Sequence, residues 1–156
     1  MSSLSPREER LNDLGYQLPQ APAPAAIYQP YMKSGQDLWV AGQIALSEGT
    51  LIHEGRVGVD INLEQAQACA LQCGLNLLAQ VKAASGNLEQ IKRVVKLNVF
   101  VASSPDFTQQ HLVANAASEL FGEVLGTDGV HARSAVGVAV LPLNSPVEID
   151  AVFELK

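Results

Sequence analysis

Arg133 stands at the mouth of the segment His131-Ala132-Arg133-Ser134-Ala135-Val136-Gly137-Val138-Ala139-Val140-Leu141-Pro142, the last cationic side chain before the terminal Lys156. The apolar run after it reads as a buried strand. A guanidinium stays charged and presents a planar fork of donors suited to a carboxylate or a phosphate. Placed where a strand leaves the core, it needs either an acidic side chain of the protein or an anionic ligand. Glu148 is one candidate for that partner. It faces away from the side carrying Val147 and Ile149, where a strand carboxylate is ordinarily solvated. Tyr31 follows Pro30 and either packs over the core edge with a wet hydroxyl or lines a pocket. Asn115 falls on the polar side of a helix pattern. Among the histidines, His53 and His111 read as surface residues, whereas His131 lies two residues before Arg133 and borders whatever Arg133 serves.

Other chemistries are unsupported. The chain contains no GxSxG elbow, phosphate loop or defensible Ser-His-Asp order. Cys69 and Cys73, four apart in a helical pattern, suit neither an ordinary disulfide nor a zinc set, and read as small buried hydrophobes. No metal and no cofactor is implied. With ten Lys and Arg against 16 Asp and Glu, the net charge is −6, which argues against a nucleic-acid partner. Eight aromatics are too few for a base-stacking platform. No apolar stretch approaches the roughly 18 residues of a membrane helix, and no hydrophobic leader opens the chain, so a cytoplasmic location without membrane contact is the expectation.

These residues must be positioned by a chain of 156 residues, enough for one domain with a real core. Ser5-Pro6-Arg7-Glu8 reads as a capped helix start, with Gly15 ending the helix. Residues 19–26 alternate Pro with Ala, so 1–26 reads as a helix and extended arm ahead of a domain over 27–156. Strands are expected at 38–46, near 51–53 and at 55–59. A helix is expected over 63–84, with Leu63, Ala66, Ala70, Gly74, Leu77, Leu78 and Val81 on one face. Val95, Leu97, Val99 and Val101 alternate through a further strand. A second helix opens at Ser104-Pro105-Asp106 and runs to about 124; strands at 134–140 and 147–155 close the chain. The order β-β-β-α-β-α-β-β predicts an α+β two-layer domain, a mixed six-stranded sheet with two helices on one face plus the short N-terminal helix. The other sheet face is too apolar to stay wet, which points to a homo-oligomer.

The segments Ile27-Tyr28-Gln29-Pro30-Tyr31, Val40-Ala41-Gly42-Gln43-Ile44, Lys96-Leu97-Asn98-Val99-Phe100-Val101, Asn115-Ala116-Ala117-Ser118-Glu119, Ala132-Arg133-Ser134-Ala135-Val136 and Val147-Glu148-Ile149-Asp150-Ala151, in this order and spacing over about residues 27–154, resemble the Rid family, also called YjgF or L-PSP proteins. The resemblance implies a chorismate mutase-like fold, a homotrimer and a cleft between subunits. It also implies cofactor-free hydrolysis of enamines and imines of amino acids to 2-keto acids and ammonia. By the same resemblance Arg133 grips the substrate carboxylate, Tyr31 and Asn115 line the cleft, and Glu148 helps place the attacking water. Arg133 and Glu148 are then the catalytic candidates. Ala41 and Gly42, Tyr31, Asn115 and Ser134 join Arg133 as substrate-binding candidates.

The chain also departs from the deaminase branch of that family. Ala41 stands where Ser is common, Gly137 where Glu is common, and Gln29 where Gly precedes the Pro-Tyr pair. The segment from Phe107 to Asn115 is longer, and the N-terminal arm is extra. These departures motivate the alternative of a small-carboxylate binding or sensing module without hydrolysis. The acidic charge disfavours a third reading, the endoribonuclease label that the family has carried.

Overall fold

Val147, Ile149, Ala151, Phe153 and Leu155 alternate with Glu148, Asp150 and Glu154, and this period of two makes the last segment a strand with one buried face. In the computed structural model, which describes residues 3–156, this strand lies at the centre of the sheet. The elements in order are α1 (Pro6–Asp13), β1 (Tyr31–Ser34), β2 (Asp37–Ile44), β3 (Leu46–Ser47), β4 (Thr50–Leu51), α2 (Leu63–Ser85), β5 (Ile91–Ala102), α3 (Gln110–Leu125), β6 (Ala132–Val138) and β7 (Val147–Leu155). The sheet runs β1-β2-β7-β5-β6. Only β5 and β6 are parallel, and α3 supplies the crossover that a parallel pair requires. The fold is α+β, with α2 and α3 on one face. The core between them is carried by Leu77, Leu78, Leu97, Leu120, Ile149 and the edge-to-face pair Phe121–Phe153.

The predicted helix of 63–84 is α2. Asn62 caps it in a reciprocal capping box with Gln65, and Gly86, at φ 97°, ends it. Gly74 lets α3 approach closely: a Cβ there would stand 3.1 Å from Leu120 Cδ2. Cys69 and Cys73 are buried and free. α2 also buries two polar residues. Asn76 Nδ2 donates to the carbonyls of Ile44 (3.1 Å) and Leu46 (2.9 Å), and Gln80 Nε2 donates to Pro22 O at 2.7 Å. They tie down the end of β2 and the N-terminal arm.

That arm begins with α1, capped by Ser5 and Glu8 as the sequence indicates. It is fixed by Arg7, whose guanidinium donates to Leu88 O, Ile91 O and Asp128 Oδ2. Residues 1 and 2 of the expected arm lie outside the described residues.

Several expectations need correction. The sheet has five strands, not six, and the hairpin β3–β4 stands apart. The strand expected at 55–59 is reduced to two isolated bridges from Val57, to Ile61 and Ser103, because the Gly55–Asp60 stretch turns on itself through bonds to the Arg56 carbonyl. β1 is an addition to the expected strands; four residues at an edge leave little pattern. α3 starts at Gln110 rather than Ser104. Ser104 N is held by Val57 O, and Phe107 N closes a turn on Ser104 O, so residues 104–109 fold back before the helix begins. Val95 sits at an irregularity in the β5–β7 register, which leaves it 39% exposed while Val94 is buried.

Candidate functional site

Arg133 is the second residue of β6, opposite Leu97 of β5, and its side chain turns to the helical face. Nη1 donates to Asn115 Oδ1 and to Ser118 Oγ, both at 3.0 Å, and Nη2 donates to the His111 carbonyl at 3.2 Å. All three acceptors belong to α3, between His111 and Ser118, so the helix pins one side of the guanidinium. None of the ion pairs among the described residues includes Arg133. Three of its five donors are thus taken by neutral oxygens. Nε–H and one Nη2–H remain, and so does the full positive charge.

His131 lies behind this cluster. Its Nδ1 is 2.6 Å from the Gly129 carbonyl and its Nε2 2.9 Å from Ser118 Oγ. Phe121 meets the ring edge-on at 6.1 Å. Burial first, and then the charge of Arg133, push its pKa below the usual imidazole value, against an upward pull from the Gly129 carbonyl. Ser118, Gly122, Gly129, Val130, His131 and Arg133 together line an open hollow on the surface.

Glu148 is the second residue of β7, paired with Ile44 and Phe100. Because Val147 and Ile149 are buried beneath the helices, its carboxylate belongs to the open face. A bulge in β2 between Val40 and Gln43 brings Gly42 directly over it; a Cβ on Gly42 would overlap Glu148 Oε1. The arm closes the other side, so that Tyr28, Pro30, Gly42 and Pro142 border a small cavity with Glu148. Burial, reinforced by the neighbouring Asp150, raises the Glu148 pKa above the ordinary carboxylate value. A carboxyl so tuned is better matched to proton transfer near neutral pH.

Arg133 and Glu148 do not meet within one chain. They occupy opposite faces, two strands and three register positions apart, which strand geometry converts to about 14 Å between Cα atoms. The other sequence candidates divide between the halves. Asn115 joins Arg133, and it is half-buried rather than on an open polar side. Ala41 and Gly42 lie in the bulge beside Glu148. Ser134 turns to the open face, where its hydroxyl accepts from Lys96 Nζ at 3.2 Å. Tyr31 pairs with Val40 and packs against the core near Ala84 and Leu155; the tyrosine beside Glu148 is Tyr28. Ser118 escapes sequence reasoning, although its place one turn after Asn115 puts the two on the same side of α3. Nothing in the local sequence singles out Tyr28.

A mixed five-stranded sheet backed by two helices, with an uncompensated arginine on one face and a tuned carboxyl on the other, defines a chorismate mutase-like α+β protein. Residues 8–155 match the family described as "YjgF/chorismate mutase-like, putative endoribonuclease", and the chain belongs to that family. It is 48% identical to Protein TCP17 of Trypanosoma cruzi over 94% of this chain and 92% of that protein. It is 31% identical to a 2-iminobutanoate/2-iminopropanoate deaminase of Dermatophagoides farinae, over 88% and 93% respectively. The crystal structure of a protein of unknown function from Agrobacterium tumefaciens superposes with a TM-score of 0.89 at 49% identity, covering 96% of this chain and 91% of that one. Among the described residues no helix is long and apolar enough to cross a membrane.

Proposed function

We propose that the chain assembles as a homotrimer in which the Arg133 half of one copy faces the Glu148 half of the next, and that this cleft hydrolyses small 2-imino acids to 2-keto acids and ammonia without a cofactor. The observation that carries the reading is Arg133 itself: a half-buried guanidinium oriented by three neutral acceptors, with no carboxylate beside it and two donors free. That arrangement suits a planar carboxylate. The deaminase name of a relative at 31% identity supports the reaction class. Support for the assembly comes from the open face, where Met32, Trp39 and Val136 are 61%, 55% and 46% exposed, more apolar surface than one sheet leaves in water.

In this reading Arg133 and Asn115 hold the substrate carboxylate and so aim the imine carbon at a water beside Glu148. The water oxygen bonds to that carbon while the C=N π pair moves to nitrogen, and the water's proton passes to Glu148. Glu148 returns the proton to the nitrogen. The C–N bond then breaks and ammonia leaves as the hydroxyl gives its proton to Glu148 and the carbonyl of the keto acid forms; that proton then passes to the departing ammonia. Holding and orienting contribute most, because a protonated imine is already electrophilic.

Arg133→Ala tests the reading. Loss of a charge-assisted carboxylate contact, worth about 2–3 kcal/mol, is expected to lower keto-acid release from imines generated in situ by about a hundredfold, with the oligomer mass unchanged by light scattering. Wild-type protein inert across a panel of such imines overturns hydrolysis. One observation favours the binding-only alternative: Ala41 in the bulge offers no hydroxyl to help hold a water over Glu148. Calorimetric binding of keto acids that depends on Arg133, without turnover, decides for that alternative.

A further inference from the structure

The hydrogen-bond order around His131 is fixed by donor counting. The Gly129 carbonyl can only accept, so Nδ1, 2.6 Å away, carries the proton of the neutral ring. Nε2 is then a bare acceptor, and its one partner, Ser118, must donate to it. With its proton committed, the Ser118 oxygen presents lone pairs, and Arg133 Nη1 donates into them at 3.0 Å. The chain Gly129 O ← His131 ← Ser118 ← Arg133 therefore runs in one direction. It spans three elements: the turn before β6, α3, and β6.

We propose that Ser118 and His131 form a positioning relay that orients the Arg133 guanidinium, and that capture of a carboxylate by Arg133 is coupled to uptake of a proton at His131. A proton on Nε2 reverses the link. The ring then donates to Ser118 Oγ, which must accept from both His131 and Arg133 and turn its own hydrogen outward, toward the open hollow that Ser118, His131 and Arg133 share. A bound carboxylate gains that extra donor and a second positive charge beside it. Burial and the charge of Arg133 oppose that same charge unless a ligand offsets them.

The other charged groups on the elements around the ring have other partners or border other surfaces. Asp128, in the turn before Gly129, binds Arg7. On α3, Glu119 and Glu123 border the groove that holds Tyr16, Glu64 and Gln67, and the Glu123 carbonyl accepts from Arg10. On β5, Arg93 binds Glu154 and Lys96 turns to Ser134. Arg133 is left as the charge that acts on His131, so a ligand that neutralises Arg133 raises the affinity of His131 for a proton. By linkage, the proton raises the affinity for the ligand by the same factor.

This inference rests on the carboxylate-binding reading above, and its test separates the two. The full-length protein is titrated with 2-oxobutanoate by calorimetry between about pH 5 and pH 8, in buffers of different ionisation enthalpy. In parallel, the tautomer and titration of His131 are followed by nitrogen-15 NMR. Affinity is expected to rise as pH falls, approaching tenfold per pH unit for one linked proton, with proton uptake in the calorimeter and an upward shift of the His131 titration on binding. His131→Gln is expected to flatten the pH dependence. Ser118→Ala weakens binding about tenfold, the cost of one hydrogen bond to a charged group, and Ser118→Thr restores most of it. Binding whose strength is the same at every pH, or a His131→Gln variant with the wild-type profile, overturns the proposal. If 2-oxobutanoate fails to bind at any pH, the keto-acid reading falls. A His131 then still in the Nδ1–H tautomer, with an Nε2 resonance that moves in Ser118→Ala, sustains the positioning relay; a His131 that titrates as a free imidazole overturns it as well.

Discussion

Glu148 and Asp150 project from the same face of one strand, two residues apart, and the arm and the β2 bulge draw water away from the first of them. Burial and the like charge both favour the protonated form, so the folded pKa of Glu148 stands above its unfolded one. Any stabilisation tied to Glu148 is therefore fully present below the ordinary carboxylate range and is lost as pH rises through the raised value, because the fold must then hold an ion it disfavours. Glu148→Gln removes that penalty. In urea melts its midpoint is expected to exceed the wild-type value near pH 8, with the gap closing toward about pH 4, where a carboxylate protonates even in an unfolded chain. A gap independent of pH would sink this account. At this scale the sequence is informative about charge and silent about contact. Arg133 stands out because few cations lie near it along the chain. Of its acceptors, Asn115 is reached only through the family resemblance and Ser118 and the His111 carbonyl not at all, since the register of α3 against β6 that brings them together depends on packing between segments far apart in sequence.

At the scale of elements, periodicity makes α2, β5 and β7 legible, because each buries a face against the other layer, whereas β6, read from its apolar run as a buried strand, is an edge strand with no fully buried residue. The pieces that complete the sites are harder to see. β1, the β2 bulge and the folded-back stretch before α3 are set by long-range bonds such as Ala41 N to Pro30 O and Ser104 N to Val57 O, which leave no periodic trace. The bulge carries a prediction of its own. Gly42 lies against the Glu148 side chain, and a methyl there would overlap the carboxylate oxygen. The overlapped atom is the end of a flexible side chain, so it can swing away without moving the backbone. Gly42→Ala is therefore expected to keep its thermal midpoint within a few degrees, a stability change of about 1 kcal/mol or less, while losing at least tenfold in kcat. Crystals of the variant should show Glu148 rotated out of the cavity. Wild-type turnover with the carboxylate displaced would remove Glu148 from the mechanism.

For the whole molecule, the decisive fact is that the sheet separates its own functional groups. Arg133, Asn115 and Ser118 belong to the helical side near the β6 edge, and Glu148, Gly42 and Tyr28 to the open side and the arm. No hinge within one small two-layer domain carries a residue through its own sheet, so a cleft using both halves requires a second copy. In the proposed trimer the contact is head-to-tail, and three such contacts close a ring. Each cleft then takes Arg133 from one subunit and Glu148 from its neighbour. Arg133→Ala and Glu148→Ala proteins are each expected to be nearly inactive alone. Unfolded together in equal amounts and refolded, they assort into mixed rings. A cleft is intact when a Glu148→Ala subunit supplies its arginine and an Arg133→Ala subunit supplies its carboxylate; for random assortment across a head-to-tail contact this restores about one quarter of the wild-type clefts. Steady-state keto-acid release near that fraction, absent when the two variants are refolded separately and then mixed, establishes a shared site. No recovery from mixed rings whose composition is verified by native mass spectrometry would mean that Arg133 and Glu148 do not serve one reaction.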